Sequence, residues 1–123
     1  MSDEKKPQPT ADEIILSDDR PEFPVEVSEW DLTGDNAAMV RQIDSATLAL
    51  IEESCPKNHE GPAMRAAKII VEGSIKPKFR PEHVPSLMKA KSPTAVNKLV
   101  NAILLGKKNF DVIQARAKAG FGM

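Results

Sequence analysis

The chain has 123 residues, 41% of them hydrophobic, with four Phe, one Trp and no Tyr, which limits it to one small domain with a thin core. A single cysteine, Cys55, excludes an internal disulfide, and no run approaches the roughly 18 apolar residues of a membrane span. The net charge of −1 hides an asymmetry: residues 1–60 carry 15 acidic and 5 basic side chains, residues 61–123 carry 3 and 12. Either the halves attract each other, or the second half offers a basic surface to an acidic partner.

Residues 1–20 are charged, contain Pro7 and Pro9, and offer only Ile14-Ile15-Leu16 for packing. An acidic disordered arm is expected there, and it does not read as a signal peptide. Pro21 and Pro24 bracket Phe23, after which Val25-Glu26-Val27-Ser28-Glu29-Trp30 begins as a period-2 pattern with Val25 and Val27 on one face. Asp31 to Asn36 is rich in turn formers. Residues 37–43 fit either a helix or a strand. Asp44-Ser45 is an N-cap signal that would be wasted inside a longer helix, so Met39–Ile43 is expected to pair with residues 25–30 in a hairpin.

A helix is expected from Ser45 to about Ser54, stopping before Pro56 because the residue preceding a proline is pushed out of the helical region. After a polar loop, Pro62 opens a second helix from Ala63 to about Glu72, with Ala63, Ala66, Ala67, Ile70 and Val71 inward and Gly73 as its stop. Ser74–Arg80 reads as an extended connector anchored by Ile75 and Phe79. Pro81–Lys89 reads as a short helix with Val84, Leu87 and Met88 inward.

The clearest helix follows. Ser92 can cap it, Pro93 suits its first position, and Val96, Leu99, Val100, Ile103 and Leu104 form one apolar face up to the stop at Gly106. Beyond a joint at Lys107-Lys108-Asn109, Phe110, Ile113 and Ala117 keep helical spacing; this segment is either a fifth helix folding back or a tail left for a partner. The expected fold is mainly α: four to five helices with a minor N-terminal β-hairpin over residues 21–106, an acidic arm over 1–20, and a C-terminal helix or tail over 107–123.

Little in the chain carries catalytic chemistry. Cys55-x-x-x-His59 is half a zinc site, and with only His83 left among the usual Cys/His ligands the four needed for a structural zinc are missing. A Cys/His nucleophilic pair lacks a third, orienting group, and the six glycines form no phosphate-binding loop. No catalytic residue, cofactor or metal is therefore assigned. Lys76, Lys78, Arg80, Lys89 and Lys91 form a basic stretch with few aromatics interleaved, which argues only weakly for nucleic acid. Residues suited to contact a protein partner are Trp30, Met64, Met88, Phe110, Ile113 and Phe121; core packing is the competing role for Trp30 and the methionines.

From Glu29-Trp30 onward, the order of segments resembles the tail assembly chaperones of long-tailed bacteriophages. The likeness lies in Met39-Val40-Arg41-Gln42-Ile43 running into the capped helix at Asp44-Ser45, in the proline-bearing Ile75–Leu87 segment, and in Lys91-Ser92-Pro93-Thr94-Ala95-Val96-Asn97-Lys98-Leu99. It covers about residues 25–105, in pattern more than identity. One departure is the short turn between the expected strands, which lacks the glycine-rich pattern of the family. The resemblance implies a non-enzymatic role in the host cytoplasm: binding the tape measure protein, with the major tail tube protein as a further partner, while the tail tube polymerises. It also implies absence from the mature virion, and it leaves room for self-association. In that family a programmed frameshift near the end of the gene yields a longer product, and Gly106-Lys107-Lys108 is the candidate position here; a basic helix terminus complementing the macrodipole is the competing role. The rival function is a small helical DNA-binding or regulatory domain using the basic second half.

Overall fold

The computed structural model describes residues 8–16, 20–89 and 92–121. In chain order the elements are α1 (Ala11–Leu16), β1 (Glu22–Val25), β2 (Ala38–Arg41), α2 (Ser45–Ser54), α3 (Gly61–Gly73), β3 (Ser74–Lys76), α4 (Val84–Met88) and α5 (Pro93–Phe121). The fold is mainly helical with a small antiparallel sheet, in the order β1-β2-β3.

The sheet departs from the expected hairpin in two ways. β2 pairs with Glu22–Val25 rather than with residues 25–30, in the register Phe23↔Val40 and Val25↔Ala38. Residues 28–30 instead form a 3-10 turn that ends on Asp31 in the left-handed region. Phe23, Val25 and Val27 are all buried, so the expected phase of the alternation holds, while the strand lies earlier in the chain at both of its ends. The connector after α3 supplies the other change: Ser74–Lys76 joins β2 as a third strand, with an irregularity between Met39 and Val40. Three residues are too short to display a period, which is why the sequence reads only as extended. The ambiguity over residues 37–43 resolves largely as strand.

α2 begins at its expected cap, where the Asp44 carboxylate accepts the Thr47 amide at 2.8 Å. In α3, Ala67, Ile69, Ile70 and Val71 are buried, whereas Ala63, expected inward, is exposed in the first turn. Gly73 lies directly against the Ile103 side chain, so any Cβ there would collide with it. The small residue thus sets the approach of α3 to α5. α4 buries Leu87, with Val84 and Met88 packed against the core. His83 is half-buried: its Nδ1 accepts the Arg80 amide at 2.9 Å, and its ring stands edge-on to Phe79.

Around α5 the core assembles as its spacing predicts. Val96, Leu99, Val100 and Ile103 are buried, joined by Ala95 and Ala102, and Leu104 packs at the margin. Ser92 Oγ accepts the Ala95 amide. Gly106, at φ 81° and ψ 167°, breaks the helix, in a region of backbone space essentially open only to glycine. The carbonyls that lose helical partners at the break find others: Ile103 accepts from the Ile43 amide at 3.3 Å, Leu104 from Gln42 Nε2 at 3.2 Å, and Leu105 from Asn109 Nδ2 at 3.2 Å. Lys107-Lys108-Asn109, expected as a joint, instead opens the distal half of the helix. The joint is Gly106 alone.

In the arm, a helix forms where disorder was expected. Thr10 and Glu13 make a reciprocal capping box: Thr10 Oγ1 accepts the Glu13 amide at 3.1 Å, and the Thr10 amide donates to Glu13 Oε1 at 2.9 Å. The amide and hydroxyl of Thr10 hold the Glu13 carboxyl below its usual range.

Candidate protein-binding cleft

The distal half of α5 leans back over the edge of the sheet. Phe110 meets Phe23 with ring centroids 5.4 Å apart and planes at 45°, within the range of favourable tilted aromatic pairs. This contact leaves a cleft of about 730 Å³ between β1 and the two halves of α5. Pro24 and Val25 form one wall, Leu104 and Leu105 another, and Phe110, Ile113 and Gln114 the third; Glu26, Lys98 and Asn101 complete the lining. Its size suits several side chains of a ligand or partner.

The charged groups at this cleft are engaged inside the chain. Glu26 Oε2 accepts the Gly34 amide at 2.9 Å. Lys98 Nζ sits 3.0 Å from Glu29 Oε1, and that contact holds the Glu29 carboxyl below the usual carboxylate range. The walls between them are apolar. β1 lies at the end of the strand order, so one of its sides is open, yet Pro24 in its middle has no N–H to offer an added strand. The cleft is therefore shaped for side chains on a helix, whose backbone is already hydrogen-bonded, more than for an extended peptide.

Of the six residues proposed from sequence as partner contacts, the structure brings together Phe110 and Ile113 in this cleft. Trp30 lies elsewhere, half-buried in an aromatic cluster, 6.4 Å from Phe79. Met64 lines a separate groove with Ile51, Val71 and Val84, and Met88 another beside Pro62 and Val96. The side chain of Phe121 lies outside the described residues. Sequence reasoning missed Pro24 and Leu105 as walls. Leu105 carried a signal, being an apolar residue displaced from the buried face of its helix; Pro24 carried none.

The charge asymmetry partly resolves as attraction between halves, since Glu29–Lys98 and Glu52–Arg65 join acids of the first half to bases of the second at 3.0 and 3.1 Å. Among the described residues no group of three His, Cys, Asp or Glu side chains is placed to hold a metal. No described helix is long and apolar enough to cross a membrane. No family model, curated protein or solved structure matches the chain.

Proposed function

We propose that this protein is a tail assembly chaperone of a long-tailed bacteriophage, binding the tape measure protein and keeping it soluble in the host cytoplasm during tail tube polymerisation. The observation that carries this reading is the apolar cleft between β1 and α5, which suits side chains projecting from an amphipathic helix. A tape measure protein, being long and helical, exposes such faces until tail subunits surround it. The resemblance of residues 25–105 to that family points the same way. The reading is of a non-enzymatic carrier that leaves before the virion is complete.

Co-expression with a phage tape measure protein, taken from the same genome, is the direct test. The soluble fraction of that protein should rise, and Ile113→Asp, which places a charge in the cleft, should abolish the gain. An unchanged soluble fraction with the wild-type chain would overturn the reading. The frameshift reading at Gly106-Lys107-Lys108 is checked in the gene: an unbroken adenine run after the glycine codon and an overlapping downstream frame are expected, and mixed lysine codons without that frame would refute it.

A further inference from the structure

Two sets of donors compete for the same carbonyls at the break in α5. Ile103 accepts from the Ile43 amide at 3.3 Å and Leu104 from Gln42 Nε2 at 3.2 Å, both donors lying in the connection between β2 and α2. In an unbroken helix these carbonyls would accept the Lys107 and Lys108 amides instead. The Gln42 side chain also fills the space beside Gly106, where any Cβ would fall 2.6 Å from its Oε1. Gln42 is itself tied to the chain entering β1, its carbonyl accepting Arg20 Nη1 at 3.1 Å. Beyond the break the helix has support of its own, including the Lys107–Asp111 ion pair at 2.7 Å, one turn apart. From Lys107 to Ala117 the side chains are exposed except for Phe110, which is half-buried against Phe23. Little burial therefore holds the distal half to the sheet.

We propose that α5 exchanges between this bent form and a straight one, with Gly106 as the hinge and Gln42 as the latch. In the straight form Gly106 takes helical φ and ψ, the Ile103 and Leu104 carbonyls bond to amides of their own helix, and Phe110 leaves Phe23. The two carbonyls keep a partner in either form. Straightening costs the half-buried aromatic contact and the two bonds from Gln42 and Ile43. Glycine suits both forms: it alone is at ease at φ 81° and ψ 167°, and it also enters the helical region. The cleft is built from β1 and both halves of α5, so it exists only in the bent form. The hinge therefore makes and unmakes the cleft, whatever the cleft receives.

Distances between two spin labels on the full-length chain alone test this, independently of the chaperone reading, because no tape measure protein is present. With Cys55→Ser removing the native thiol, Asn97→Cys and Ala115→Cys place the labels at exposed positions on either side of the hinge. A straight helix would hold these two Cα atoms about 27 Å apart, and any bend shortens the distance. With Gly106 and Gln42 intact, the shorter distance should dominate. Gly106→Ala, which cannot easily take the bent backbone, should raise the ratio of long to short at least about tenfold. Gln42→Ala keeps the glycine and should raise the ratio about threefold. Far-UV circular dichroism checks that each variant is folded, and Gln42→Ala decides the matter if the glycine variant does not fold. An unchanged short distance in Gln42→Ala, or in a folded Gly106→Ala, would overturn the proposal. So would a long distance already dominant with both residues intact, since the latch would then hold nothing.

Discussion

The two halves of α5 are continuous in sequence and opposite in use. The proximal half buries Ala95, Val96, Leu99, Val100, Ala102 and Ile103, with Ile103 against Gly73 of α3 and its carbonyl bonded by the Ile43 amide. The distal half reaches the core through Phe110 and leaves Val112 and Ile113 nearly half exposed. Between them stands Gly106, whose positive φ turns the chain and whose neighbouring carbonyls are bonded from outside the helix. The lesson is that hydrophobic spacing alone does not say what a helix buries itself against. Val96 to Leu104 and Phe110 to Ala117 both keep the helical period, yet the first stripe is buried in the core while the second meets the sheet through Phe110 at the edge of β1.

The comparison breaks most severely in the proximal half. Leu99→Ala removes a fully buried side chain and should cost about 2–5 kcal/mol of unfolding free energy in urea titration. A loss below about 1 kcal/mol would mean the proximal half is not the core. Next comes the joint. A Cβ on Gly106 would fall 2.6 Å from Gln42 Oε1 and occupy a backbone region that other residues avoid. Gly106→Ala should therefore destabilise by about 1–3 kcal/mol, and Gln42→Ala by about 0.5–1.5 kcal/mol through the lost bond to Leu104.

Smaller effects sharpen the contrast. Phe110→Ala, at a half-buried position, should cost about 1–2 kcal/mol and raise hydrogen exchange selectively in the distal half. Equal acceleration on both sides of Gly106 would show that the halves act as one unit. Val112→Ser should change stability by less than about 0.5 kcal/mol, as surface substitutions do.

The smallest expected effect is the pH dependence of the Glu29–Lys98 contact, which ties the turn after β1 to the proximal half. Because the folded pKa of Glu29 lies below its usual value of 4.5, its contribution is present above that value and is lost as pH falls through the lowered folded pKa. Comparing wild type with Glu29→Gln between pH 3 and 7 should show a difference that narrows on the acid side; a constant offset would mean the pair is not titrating. Because both groups lie at the surface, salt should shrink the same difference.

Much of the fold was legible in the chain because its signals are local. A cap such as Asp44 acts within three residues, a glycine stop acts at one, and the apolar face from Val96 to Ile103 repeats every helical turn. The capping box at Thr10–Glu13 was equally local, and a helix at Ala11–Leu16 could have been read from it. What lay outside the sequence was pairing over distance. The register of β1 on β2, the recruitment of Ser74–Lys76 as a third strand and the closeness of Gly73 to Ile103 each join segments that are not neighbours in sequence.

The cleft belongs to that second class. The sequence by itself determined the helix from Ser92 to its stop at Gly106 and the helical spacing of Phe110 and Ile113 beyond it, leaving helix or tail open there. Only the tertiary structure decided that this face leans toward β1, so that Pro24, Leu105, Phe110 and Ile113 enclose a common space. The direction taken by a chain after a positive-φ glycine is set by what it packs on, here Phe23 under Phe110, and not by the residues that follow it.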